Sequence, residues 1–292
     1  MDCAGLRFVG SAAILSVAFI PVTCGSRRPS LEKALTVTET SAHYTYRYSP
    51  GDHVNSASVE AFYNWMSAQL HVDYGQKIHF YKFTDIHQKE LLTGRGGNAD
   101  SNPAKGAVYT IWPTDSHETT HLLTSKIGIP TPFLNEGFAV ANQVDPLDQR
   151  YTAQWNGYSP HHWAKQFLLA GSIPALEQLL ERRTFDRSDA SITYPVAGSF
   201  VLYLIETREM PKVLQMFPGA RLSDSPAVTM SRFGKVFGQP FGEAENNWRA
   251  FLAGYNDPVV TAQKIALRAV GTAIPDRNRR GKWQVCAGPG AH

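Results

Sequence analysis

Cysteine is scarce in this chain: Cys3, Cys24 and Cys286 are the only three in 292 residues. So few thiols, so far apart, exclude a disulfide framework and a cysteine-held metal cluster, so any metal must rest on histidine and carboxylate. An excess of charge of one sign is missing too. The 28 Lys and Arg against 25 Asp and Glu leave a formal net charge of +3, and the basic residues are scattered apart from short groups such as Arg27-Arg28 and "RNRR" at 277–280. Nothing in that distribution asks for nucleic acid as a partner. No internal repeat is present, and 43% hydrophobic with 18% charged residues is ordinary globular composition, which sets aside disordered and repeat architectures.

What is present begins with an apolar run from Phe8 to Val22, preceded by one arginine and followed by small and polar residues. That is the layout of a secretory signal over 1–24, too short and wrongly flanked for a stable membrane span. The expectation is an exported protein: periplasmic, attached to the cell envelope, or secreted. Cys24 stands where a bacterial lipoprotein signal places its lipidated cysteine, while Pro21-Val22-Thr23 departs from the usual approach to that residue. Membrane attachment through lipidated Cys24 and free secretion both stay open.

The pattern along the chain predicts an α+β fold in two lobes. "ALTVTETSAHYTYRYSP" at 34–50 alternates as one or two strands do, and "SVEAFYNWMSAQL" at 58–70 places Val59, Phe62, Tyr63, Met66 and Leu70 at helical spacing. A strand "KIHFYKF" at 77–83, a short helix through "DIHQKELL", a Gly/Asn/Pro-rich loop at 94–106 and a strand at 107–112 follow. From Ala141 onward helical patterns dominate, including single helices over "PALEQLLERR" and "YPVAGSFVLYLIETRE". The predicted catalytic-size domain spans 34–255, with an α+β lobe at 34–127, a mostly helical lobe at 128–255 and a C-terminal tail at 256–292.

The chemistry concentrates in "SHETTHLLTSKIGIPTPFLNEGFAVA", residues 116–141. Four residues apart on a helix, His117 and His121 share one face, and Glu118 points about a quarter-turn away. This is the H-E-x-x-H arrangement, in which two neutral histidines ligate zinc and the intervening glutamate serves as general base. A plainer reading exists, since Asp115-x-x-Glu118 also fits a helix-start capping box. The sequence beyond Leu123 favours the metal. Lys126 and Gly128 signal a helix stop, Pro130 and Pro132 a turn, and "FLNEGFAVA" a second helix folding back so that Glu136 can face both imidazoles. Catalytic zinc characteristically takes three protein ligands and keeps a fourth position for water.

H-E-x-x-H followed by N-E-G-F-A resembles the gluzincin zinc metallopeptidases, specifically the peptidase-MA-like group and its aminopeptidase relatives. The resemblance implies a zincin-like fold, zinc (Zn2+) as cofactor, Glu136 as third ligand beside His117 and His121, Glu118 as base, and a peptide or protein as substrate. The intervening segment, 14 residues from Leu122 to Asn135, is shorter than in thermolysin-like members. "YPVAGSFVLYLIE" resembles the family's tyrosine-led helix, which gives Tyr194 the role of hydrogen-bond donor to the oxyanion, with Gly198 one place later than in the aminopeptidases. Weaker echoes extend over most of 36–254. The G-x-M-E-N string by which aminopeptidase relatives grip a free amine does not occur here.

Three further expectations follow. "GAVYTIW" is either the sheet edge that takes an extended peptide in gluzincins or an internal strand. His161 and His162 diverge as neighbours must and share no metal; they read as surface or first-turn histidines. The positions four and seven beyond Glu136 hold Val140 and Gln143, so no carboxylate is assigned to orient the ligand histidines. Two other functions remain compatible with the residues: an envelope scaffold that keeps its zinc without turnover, and a zinc hydrolase acting on an ester or non-peptide amide.

Overall fold

The computed structural model describes residues 29–144 and 151–258. The signal at 1–24, Cys24, Cys286 and the tail beyond 258 lie outside the described residues.

Five strands form one mixed sheet: β1 (Val37–Thr40), β2 (Tyr44–Tyr48), β3 (Ile78–Lys82), β4 (Ala99–Asn102) and β5 (Ala107–Thr110), in the order β1-β2-β3-β5-β4. The central three run parallel and the two edge strands antiparallel. Helix α1 (Leu31–Ala34) precedes the first strand, and α2 (Ser56–Leu70) and α3 (Ile86–Thr93) are threaded between the strands. Beyond the sheet come α4 (Ser116–Thr124), α5 (Pro132–Ala141), α6 (Pro160–Leu169), α7 (Leu176–Leu179), α8 (Arg182–Arg187), α9 (Ala190–Arg208), α10 (Met210–Leu214), α11 (Pro226–Phe237) and α12 (Phe241–Gly254). The molecule is thus α+β, with a mixed sheet in its N-terminal half and a mostly helical remainder.

Strand periodicity explains the layering. Tyr44, Tyr46 and Tyr48 alternate inward along β2, and with Ile78, Phe80 and Val108 they meet Val59, Phe62, Tyr63, Met66 and Leu70 of α2. The other face of the sheet buries Phe83, Ala107 and Tyr109 against Leu35 and against Leu92 of α3. The first of these clusters continues without interruption to Trp248 and Leu252 of α12. Sheet and helices therefore share one core, and an apolar substitution in either is felt by both.

Three expectations need correction, and one open choice is decided. The segment 94–106 is not all loop, because Ala99–Asn102 is strand β4. Of the two readings of "GAVYTIW" the internal strand holds, since β5 lies between β3 and β4 and β4 is the edge on that side. The helix foreseen over "PALEQLLERR" is two short ones, broken where the Glu181 side chain turns to accept the Thr184 amide and restart the helix as α8. Finally, α9 starts at Ala190, capped by Asp189. Tyr194 therefore stands in its second turn, and Pro195 lies inside the helix, where it lacks the amide that would bond the Ser191 carbonyl.

Candidate metal centre

The site is founded on α4. Asp115 caps it, its Oδ1 accepting the Glu118 amide at 2.9 Å, while the Glu118 side chain lines the adjoining cleft. Capping and metal chemistry thus use different atoms of the same segment. Leu122 and Leu123 are fully buried on the underside of α4, and the Tyr44 hydroxyl of β2 lies 3.3 Å from Thr119 Oγ1. That anchoring turns His117 and His121 toward the cleft, one helical turn apart, with ring centroids 4.8 Å from each other.

The return from α4 to α5 is steric in origin. A Cβ on Gly128 would fall 1.9 Å from the Phe217 carbonyl oxygen, so only glycine lets this turn touch the α10–α11 connection. Pro132 then opens α5 at a position where its missing amide costs nothing. Further on, a Cβ at Gly137 would lie 2.7 Å from the Ala197 carbonyl oxygen, and one at Gly198 2.2 Å from a Val140 methyl. These two glycines bring α5 and α9 to backbone contact. Glu136 and Tyr194 reach the same cleft as a result.

The three candidate ligand atoms form a nearly equilateral triangle. His117 Nε2 and His121 Nε2 are 3.1 Å apart, and each is 3.1 Å from Glu136 Oε2. Tetrahedral coordination with bonds of about 2.0 Å separates ligand atoms by about 3.3 Å, so the residues present fit a four-coordinate ion. Their chemistry agrees with their spacing. Two imidazole nitrogens and a carboxylate oxygen converge on one point, and such a set is held together by a cation or by protons carried on the imidazoles. Among the described residues no other group of three or more His, Cys, Asp or Glu could hold an ion.

Electrostatics carry the same message. Burial opposes charge on His117, yet its hydrogen bond with Glu136 and the nearby charges of Glu118, Glu136 and Asp115 outweigh that and push its pKa up to about 9. Burial also opposes ionisation of Glu136, but His121 and the hydrogen bonds from both imidazoles hold its carboxyl far below the usual range. Glu118 is the opposite case: burial, helped by Asp115 and Glu136 and resisted by the two histidines, pushes its carboxyl up. Tyr194 is raised well beyond an ordinary phenol by burial and then by Glu136 and Glu118, so it stays a protonated donor at neutral pH. Its ring lies 6.3 Å from that of His117, at 16° to it, backed by Phe185 and Trp155.

No protein-family model matches this chain, and no curated protein matches it either. The residues must therefore speak for themselves, and two of them were missed in the sequence. Gln143 Oε1 lies 3.2 Å from His117 Nδ1, and the Asn135 amide lies 3.1 Å from His121 Nδ1. A histidine that ligates through Nε2 donates its Nδ1 hydrogen to an acceptor, which fixes its tautomer and tilt. Gln143 presents that acceptor directly, and a half-turn of the Asn135 amide presents Oδ1 to His121. The position seven beyond Glu136 was thus the relevant one. Its residue simply carries an amide oxygen in place of a carboxylate. Gln143 is fixed in turn by the Gln154 amide on its carbonyl at 2.8 Å and by the Val144 amide on Ser116 Oγ at 3.1 Å.

The cleft has a volume of about 380 Å³ and takes in all five predicted site residues, His117, Glu118, His121, Glu136 and Tyr194. Edge strand β4 contributes Ala99, Asp100 and Ser101 to its lining. Asp100 is neutralised there by the fully buried Lys89 at 2.6 Å and by Arg95. His161 and His162 do not join the site. His161 is buried in the first turn of α6 and bonded to Ser199 and Glu206, so of its two readings the first-turn one holds and the surface one does not, while His162 stacks on Tyr158.

Proposed function

We propose that this chain is an exported zinc metallopeptidase of the gluzincin type, acting on peptide or protein substrates. The observation that carries the reading is the 3.1 Å triangle of His117, His121 and Glu136, opening beside Glu118 into a cleft large enough for a peptide segment. His117, His121 and Glu136 would hold the zinc. When bound, zinc supplies Lewis acidity and brings the pKa of a water toward neutrality. Glu118 accepts the proton from the attacking water, a task suited to a carboxylate whose proton affinity burial has raised. Tyr194, held protonated, donates a hydrogen bond to the oxygen on which negative charge develops. Glu118 then returns its proton to the leaving amine.

The signal-like segment at 1–24 supports export. The test is elemental analysis for zinc joined to a peptide-library digest with and without chelator. Stoichiometric zinc with chelator-sensitive cleavage is expected. Zinc without cleavage of any peptide would replace the enzyme by a scaffold, and cleavage confined to esters or non-peptide amides would move the substrate class.

A further inference from the structure

We propose that Trp155 is a positioning residue for Tyr194: its indole, carried on a short hairpin at 153–158, keeps the Tyr194 ring aimed into the metal cleft. This rests on the metallopeptidase reading and deepens it.

The hairpin is specified locally. Trp155 and Tyr158 exchange both backbone hydrogen bonds, at 2.7 and 3.2 Å, around Asn156 and Gly157, whose φ angles are both positive at 48° and 82°. Two left-handed central residues make the turn whose twist matches paired strands, and Asn-Gly adopts it readily. The Gly157 amide also donates to Gln154 Oε1 at 2.9 Å.

Neighbouring elements hold the hairpin where it is. Just before it, Tyr151 stacks on Trp65 of α2, with ring centroids 4.7 Å apart and planes 7° from parallel. The Gln154 amide donates to the Gln143 carbonyl at 2.8 Å, and Ala153 bridges to Val144. On the α6 side, Trp163 Nε1 donates to the Trp155 carbonyl at 2.7 Å, and Tyr158 packs on His162 and Trp163. The main chain of Trp155 is therefore fixed without its own side chain. That side chain meets Tyr194, with ring centroids 6.0 Å apart and planes tilted by 42°.

Tyr194 depends on such a contact because of where it stands. It directly precedes Pro195 inside α9, where one helix bond is missing. Its ring is aimed by packing, against Phe185 at 5.6 Å, against His117 at 6.3 Å and against Trp155. Phe185 belongs to the buried core and His117 to the metal triangle, so Trp155 is the support that can be removed without disturbing either. A donor to an oxyanion acts only when it is already aimed, so a ring free to swing loses rate and not substrate binding.

The test uses zinc-loaded full chain and a fluorogenic peptide from the library that wild type cleaves, with kcat and KM compared for wild type, Trp155→Ala, Tyr194→Phe and the double variant. Trp155→Ala should lower kcat about tenfold with KM changed by less than about twofold. Zinc affinity, read by chelator competition, should be unchanged, since main-chain bonds hold Gln143. In the Tyr194→Phe background the same substitution should cost less than about twofold, because the hydroxyl it served is gone. Trp155→Phe, which keeps a ring at this position, should recover most of the lost kcat. An equal loss in both backgrounds, a kcat unmoved by Trp155→Ala, or a fall in zinc affinity that matches the fall in kcat would overturn the positioning role and leave the metallopeptidase reading standing. A wild type that holds no zinc, cleaves no peptide or cleaves equally well with chelator would overturn both.

Discussion

Two histidine–glutamate pairs in this molecule, His161 with Glu206 and His117 with Glu136, share a 3.1 Å separation and differ in what surrounds them. Around His161 each hydrogen has an acceptor. Trp248 Nε1 donates to Ser199 Oγ at 3.0 Å, the Ser199 hydroxyl meets His161 Nδ1 at 2.8 Å, and His161 Nε2 meets Glu206 at 3.1 Å. The order serine, histidine, glutamate imitates a hydrolytic triad. Yet Ser199 has no exposed surface, and its oxygen already accepts the indole hydrogen, so no substrate carbonyl can reach it. Around His117 two imidazole nitrogens and a carboxylate oxygen converge on one point that faces a cleft. Convergent ligand-type atoms with access mark a candidate binding site, and a closed hydrogen-bond chain around a buried hydroxyl marks a structural tie.

The comparison breaks most visibly if one member of each group is removed. Glu136→Ala should lose zinc and all peptidase activity, read by elemental analysis and digest, while His161→Ala should keep zinc stoichiometry and lose only stability. Leaving the buried Ser199 hydroxyl without its histidine partner costs about 1–3 kcal/mol, a fall of several degrees in melting temperature. Glu118→Gln comes next and sharpens the site from within. Turnover should fall by about 10²–10⁴ with zinc retained; unchanged turnover would remove Glu118 from the mechanism. Tyr194→Phe should lower kcat by about 10² with little change in KM, and an equal rate would pass the oxyanion to another donor. The smallest effect is expected at Gln143→Leu, where zinc affinity measured by chelator competition should drop about 10–100-fold without loss of fold.

The sequence made some of this legible for identifiable reasons. The helical period of Val59, Phe62, Tyr63, Met66 and Leu70 is local, and all five are buried on α2. The H-E-x-x-H spacing likewise needs only one helical turn, and the turn residues at 126–132 announce the return that brings Glu136 over. What escaped was decided at long range. "ADSN" has the composition of a turn, and it becomes strand β4 because it pairs with β5 and because Lys89 and Arg95 hold Asp100. The α10–α11 connection reaches the cleft through contacts of Phe217 with Phe138 and Gly128 and of Arg232 with the Met216 carbonyl, which no local window contains. Gln143 was at a position already considered and was passed over for its residue type, although an amide oxygen accepts a hydrogen bond as a carboxylate does.

The glycine contacts between α5 and α9 have a bearing on how this scaffold can diversify. With Gly137 against the Ala197 carbonyl and Gly198 against the Val140 side chain, the spacing of Glu136 and Tyr194 is set by two close approaches that only glycine allows. The α10–α11 connection is fastened separately, by Arg232. Exchanging a few exposed positions there would reshape the cleft rim while the α5–α9 contact is inherited unchanged.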